Sequence, residues 1–318
     1  MRGNRLTAVV TGSNPSSQTL TYNAANQITT AGYSYDATGN LTAAPGATYT
    51  YNAFQQMTTS KDTTSGISTN YTYAGADQKQ LLSAVTPTVR TNNYTYGKND
   101  QQGNPQLVTN TYGGSGAHVY SDPVTGQALM LTTSSDIDGL YVWDGLGNPV
   151  GLLVDFAANA FSYSYDPYGQ QALTAGGSGN GASQNPYAFK AGITDRASGL
   201  VKFGIRWYEA ATGTWTQRDT LDAPLDPSNA NRYQFAGGDP INGQDPTGLA
   251  SALRCTINNG ITAVSGAIAG GAALYAAVTA PADVFVAPTA NTAGALTVAA
   301  VAGAVSGLGG LDSFIEGC

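Results

Sequence analysis

The chain has 318 residues, 13 of them basic and 20 acidic, for a net charge of −7. That balance, with no Lys/Arg cluster, argues against nucleic-acid binding, which needs a basic footprint; a single histidine, His118, removes His-based metal sites. Charged residues are 10% of the chain, but 19 Tyr, 8 Phe and 3 Trp are too many aromatics for disorder, so a turn-rich β protein is expected.

The first residues, Met1-Arg2-Gly3-Asn4-Arg5-Leu6-Thr7, lead into polar sequence and hold no apolar signal segment. Gly3-Asn4-Arg5-Leu6-Thr7 matches Gly39-Asn40-Leu41-Thr42 further on, so the chain opens inside a repeat. The expectation is that upstream repeats, and a secretion signal with them, have been lost or trimmed. Tyr-Ser/Thr-Tyr then recurs five times, at 33–35, 49–51, 71–73, 94–96 and 163–165. Residues i and i+2 of a strand share a face, so each copy sets two rings on one side.

Return strands follow the tyrosines. Tyr22, Tyr35 and Tyr51 are each followed by Asp or Asn, a short turn, an apolar residue (Ile28, Leu41, Met57) and Thr. Asp and Asn close turns with their side chains, and Gly39 supplies a positive φ, so each unit reads as a β-hairpin. Two readings of the tyrosines stand open: rings packing within a sheet, or an aromatic stripe that binds carbohydrate.

From Tyr141 the motifs become denser. They run Tyr141-Val142-Trp143-Asp144-Gly145, Tyr165-Asp166-Pro167-Tyr168-Gly169, Asn185-Pro186-Tyr187-Ala188-Phe189, Gly199-Leu200 through Trp207-Tyr208, Gly213-Thr214-Trp215-Thr216-Gln217-Arg218-Asp219, and Asn231-Arg232-Tyr233 to Asp245-Pro246-Thr247-Gly248-Leu249. In this order they resemble the RHS repeat-associated core, and Tyr35-Asp36 with Gly39-Asn40-Leu41-Thr42 resembles the YD repeat of RHS and teneurin-like proteins. The resemblance implies a mainly β fold, a strip of YD hairpins spiralling into a partial shell. The divisions it implies are YD repeats over 1–140, the core block over 141–249 and a variable tail over 250–318. It also implies that the segment after Asp-Pro-x-Gly-Leu is a toxin cargo, and that the core cuts itself at that motif.

One histidine and two tail cysteines assemble no Ser/His/Asp or Cys/His set, so carboxylates are the groups available for cutting a peptide bond. Two neighbouring carboxyls do not both ionise cheaply; one holds a proton as acid while the other activates water. By resemblance the pair is Asp219 and Asp245, Arg218 supports it, and the scissile bond is Leu249–Ala250. Thr220 stands where the family pattern has Pro, and the 26 positions from Asp219 to Asp245 exceed its usual gap, through an insertion that offers Asp222 or Asp226 as substitutes. The competing reading is that these aspartates only cap turns.

The last 69 residues carry four charges, Arg254, Asp283, Asp312 and Glu316. Two uncharged runs, 256–282 and 284–311, are separated by Pro281 and Pro288 and read as a helical hairpin, each run long enough to cross a bilayer. Such a hairpin brings Cys255 and Cys318 to one end, as candidates for a disulfide. Nothing in the tail reads as an enzyme, and no metal or cofactor is expected anywhere. Two functions remain in view. One is a secreted RHS shell that carries its own tail as a toxin for intercellular competition, with an immunity protein as partner and the tail contacting a membrane. The other is a non-enzymatic surface or adhesion protein, at the cell wall, anchored by its hydrophobic tail.

Overall fold

A computed structural model describes residues 3–10, 16–75, 79–100, 103–113, 115–134, 138–154, 158–176, 180–220 and 230–249. The chain divides into two units, 1–249 and 250–318. The expected tail hairpin, its membrane contact and the Cys255–Cys318 pairing lie outside the described residues, as do Asp222, Asp226 and Ala250.

The first unit is mainly β. A two-stranded ribbon, β1 (Thr7–Val10) and β2 (Ser16–Thr19), precedes fourteen antiparallel strands that pair strictly in chain order. These are β3 (Ser34–Tyr35), β4 (Leu41–Ala44), β5 (Ala47–Tyr51), β6 (Met57–Asp62), β7 (Ser68–Tyr73), β8 (Leu81–Thr86), β9 (Arg90–Asn99), β10 (Pro105–Tyr112), β11 (Ser115–Ser121), β12 (Ala128–Thr133), β13 (Asp138–Trp143), β14 (Pro149–Val154), β15 (Ala158–Tyr165) and β16 (Gln171–Ala175). The sheet continues unbroken through residues 140 and 141, which lie within β13.

The repeat sequence explains the hairpins. Asp36 Oδ1 accepts the backbone N–H groups of Thr38 and Asn40 at 2.9 and 2.8 Å, and Asp144 holds Leu146 and Asn148 at the same distances. Asn52 and Asp166 cap their turns in the same way. After each such turn the return strand carries one extra residue. Thr42, Thr58, Leu82, Leu129 and Val150 are bulges, each directly after the residue that faces the end of the preceding strand, and Val108 is a bulge directly after the residue that faces Tyr96. A bulge disrupts the ladder locally and bends the strand. Aromatic side chains of the following hairpin occupy carbonyls at these places: Tyr73 donates to Met57 O at 2.8 Å, Tyr96 to Leu81 O at 3.0 Å, Trp143 to Ala128 O at 2.8 Å and Tyr165 to Pro149 O at 3.1 Å. In three tyrosine pairs the second ring (Tyr73, Tyr96, Tyr165) thus ties one hairpin to the one before, while the first rings Tyr49, Tyr71, Tyr94 and Tyr163 are buried.

Bends repeated in register curl the sheet. Laid flat, fourteen strands at about 4.8 Å spacing would separate the edges by roughly 60 Å. Here both ends meet the same small block, formed by residues 180–249. Near one edge Tyr35 packs edge-on against Tyr233 at 5.5 Å; near the other, Tyr208 donates to Tyr168 O at 2.6 Å. Inside the block, Trp215 joins these two, donating its backbone N–H to Tyr233 O at 2.9 Å and packing its ring 5.8 Å from Tyr208. The Arg5 guanidinium lies 4.6 Å from the Tyr168 ring, so the N-terminal segment also reaches the last hairpin.

The block contains a short helix, α1 (Asn180–Gln184), and a four-stranded sheet of β17 (Ile193–Thr194), β18 (Val201–Phe203), β19 (Arg206–Glu209) and β20 (Thr214–Trp215). Side chains alternate along β19. Trp207 enters the core shared with the large sheet, 4.8 Å from Tyr71, while Tyr208 enters a second aromatic core with Phe189, Phe203, Trp215 and Phe235. The YD strip is therefore a partial shell wrapped round its own core block.

Candidate functional site

Three segments distant in sequence converge at the end of the block. Arg206 opens β19, Asp219 lies four residues beyond β20, and Asp245 begins the segment that leads to Leu249. One guanidinium nitrogen of Arg206, Nη2, meets both carboxylates, Asp219 Oδ2 at 2.9 Å and Asp245 Oδ2 at 3.0 Å. The side chains are 3%, 5% and 1% exposed, so this is a buried ion cluster. Arg206 also stacks on Trp215, 4.2 Å from its ring, and donates from Nη1 to Arg232 O at 3.3 Å. The same carbonyl accepts the Asp219 backbone N–H at 3.0 Å, which fixes the approach of that carboxylate.

The other oxygen of Asp245 holds the end of the described chain. Its Oδ1 accepts the Thr247 hydroxyl and the Leu249 N–H, both at 3.2 Å. Ile205 N donates to Thr247 O at 3.1 Å, laying the segment against the β18–β19 turn. Two glycines permit that approach: a Cβ on Gly204 would sit 1.8 Å from Thr247 O, and one on Gly248 would sit 2.7 Å from Phe203 O. The sequence Asp-Pro-Thr-Gly-Leu thus folds as a clasp closed by its own first residue.

The structure brings together Asp219, Asp245 and Leu249 of the residues named from sequence. It does not bring Arg218 to them. Arg218 is exposed, with its stem against Gly39, because neighbouring residues of an extended segment point to opposite sides and Asp219 takes the inward one. Arg206 occupies the position expected of Arg218. Sequence reasoning missed it; the available signal is a cation inside the otherwise apolar stretch Ile205-Arg206-Trp207-Tyr208, where a buried charge demands an anionic partner. Among the described residues no group of His, Cys, Asp and Glu has the arrangement of a metal site.

Residues 2–241 match the teneurin YD-shell family model. The chain belongs to the teneurin YD-shell family. A 114-residue stretch of this YD-shell chain, 35% of its length, is 32% identical to toxin subunit YenC1 of Yersinia entomophaga and corresponds to 11% of that protein. Among solved structures, the TcdB2-TccC3-Cdc42 crystal structure superposes over 80% of the chain with a TM-score of 0.61 and 17% identity, covering 13% of its own chain. The Photorhabdus luminescens Tc holotoxin pore superposes over 74% with a TM-score of 0.55 and 16% identity, covering 12% of its own chain. At such identities the superpositions show the fold. The chain spans a small fraction of the length of these relatives.

Proposed function

We propose that this YD-shell segment belongs to a secreted toxin carrier that cuts its own chain once, between Leu249 and Ala250, with Asp219 and Asp245 as the acting pair. The observation that carries the reading is the shared Arg206 nitrogen: it holds two carboxylates from distant segments together, and one of them already grips the Leu249 amide. In the step proposed, one carboxylate takes a proton from water as its oxygen attacks the Leu249 carbonyl carbon. The other carboxyl gives a proton to the Ala250 nitrogen as the C–N bond breaks. The products are a carboxylic acid at Leu249 and a free amine at Ala250. Arg206 positions the pair and stays unchanged.

Residues 250–318 are then the cargo, an apolar segment that acts at a membrane of a competing cell and is neutralised in the producer by an immunity partner. A second reading, a surface protein that works by adhesion, draws on the outer face of the sheet. Tyr120, Met130, Leu140 and Leu153 are successive neighbours across β11 to β14 and face outward, with Tyr120 52% and Leu140 45% exposed. N-terminal sequencing of any fragment released on expression separates the two. A fragment beginning at Ala250 that disappears in Asp219→Asn supports cleavage; a fragment that persists in this variant assigns the cut to another protease.

A further inference from the structure

A cavity of about 480 Å³ lies between the inner face of the sheet and the core block, away from the aspartate pair. Its sheet wall is one cross-strand row of hydroxyls: Tyr49 on β5 faces Ser60 on β6, Ser60 faces Thr69 on β7, and Thr69 bonds Thr86 on β8 at 2.7 Å. Its opposite wall is Glu209, with Ser198 beside it, and no Lys, Arg or His lines it. Two of these residues put hydroxyls on the cavity that no other side chain or carbonyl of the described residues engages. Tyr49 and Ser60 are each only 5% exposed, yet neither side chain forms a hydrogen bond. The residues are buried while the oxygens face the cavity, which leaves them to a ligand or to solvent.

Glu209 shows the matching imbalance. Burial pushes its carboxyl above the ordinary range, opposed by the Thr212 hydroxyl at 2.7 Å and by the Arg5 charge. No ion pair joins Arg5 to Glu209, so Arg5 acts on Glu209 from beyond ion-pair distance. A carboxylate facing two unpaired hydroxyl oxygens makes three acceptors around one space, and a primary ammonium has three N–H donors. Asp62 at the rim and the net charge of −7 favour a cation over an anion.

We infer that this cavity is a binding site for a small organic cation carrying a primary ammonium group, held by Glu209, Tyr49 and Ser60. The site is independent of chain cleavage. Calorimetric titration of the full-length protein with putrescine and with methylammonium tests it, using tetramethylammonium, maltose and phosphate as contrasts. Both primary amines bind, with dissociation constants on the order of 1 mM. Tetramethylammonium, which has the charge but no N–H donors, binds about tenfold more weakly. Glu209→Gln weakens putrescine about tenfold and Tyr49→Phe about threefold, at unchanged unfolding temperature. Should Glu209→Gln fail to fold, Ser60→Ala replaces it and weakens putrescine about threefold. No putrescine binding, equal binding of tetramethylammonium, preference for maltose or phosphate, or variants that bind as the wild type would each overturn the inference.

Discussion

Arg206 holds two carboxylates with one nitrogen, and that economy makes it the most sensitive residue of the site. Arg206→Met takes the guanidinium from both buried acids and should destabilise the protein by roughly 3–5 kcal/mol, read as a lower midpoint in urea unfolding. Arg218→Gln, at an exposed side chain, should stay within about 0.5 kcal/mol in the same assay. Asp219 and Asp245 were legible in the sequence because their neighbours form recognisable strings, Gln-Arg-Asp and Asp-Pro-x-Gly-Leu. Arg206 was not, because its partners lie 13 and 39 positions away and only the folded block reveals which cation faces inward. The tyrosines follow similar logic. Their pairing on one face was readable from the i, i+2 spacing, and the structure favours the packing reading, since Tyr73, Tyr96 and Tyr165 spend their hydroxyls on backbone carbonyls. Tyr73→Phe leaves Met57 O without that donor and should cost about 0.5–1.5 kcal/mol, measured by the same unfolding curve.

At the scale of elements, the hairpins were legible and the bulges were not. Turn residues such as Asp36 and Gly39 announce themselves, whereas one extra residue in a return strand leaves no mark in a pattern that already places an apolar residue beside Thr. Bulges are nonetheless what turns a ladder into a curved strip. The clasp over residues 245–249 depends in the same way on a contact that composition hides. Gly204, at φ +41, leaves room for Thr247 O. Gly204→Ala should push the 245–249 segment off the β18–β19 turn, which hydrogen–deuterium exchange would show as faster exchange of the Leu249 amide. Unchanged protection there would mean that the segment is held by something other than this contact.

At the scale of the whole 1–249 unit, the wrapping of a fourteen-stranded sheet round the block of residues 180–249 buries many phenols. Burial pushes the hydroxyls of Tyr141 and Tyr208 well above their usual range. An unfolded tyrosine ionises near about pH 10. Above that pH the unfolded chain releases protons that the folded chain retains, so stability is intact below it and falls as pH rises, by up to about 1.4 kcal/mol per pH unit for each such tyrosine. Alkaline titration followed by tyrosine absorbance should therefore show ionisation of these phenols only together with unfolding.

The proposed cut between Leu249 and Ala250 is the claim on which the functional account rests. Intact mass measurement of the purified full-length protein tests it most directly. The account predicts two masses whose sum is that of the 32.5 kDa chain plus one water, dividing after Leu249, and a single mass for Asp245→Asn. A wild-type chain that remains one species of full mass would contradict it.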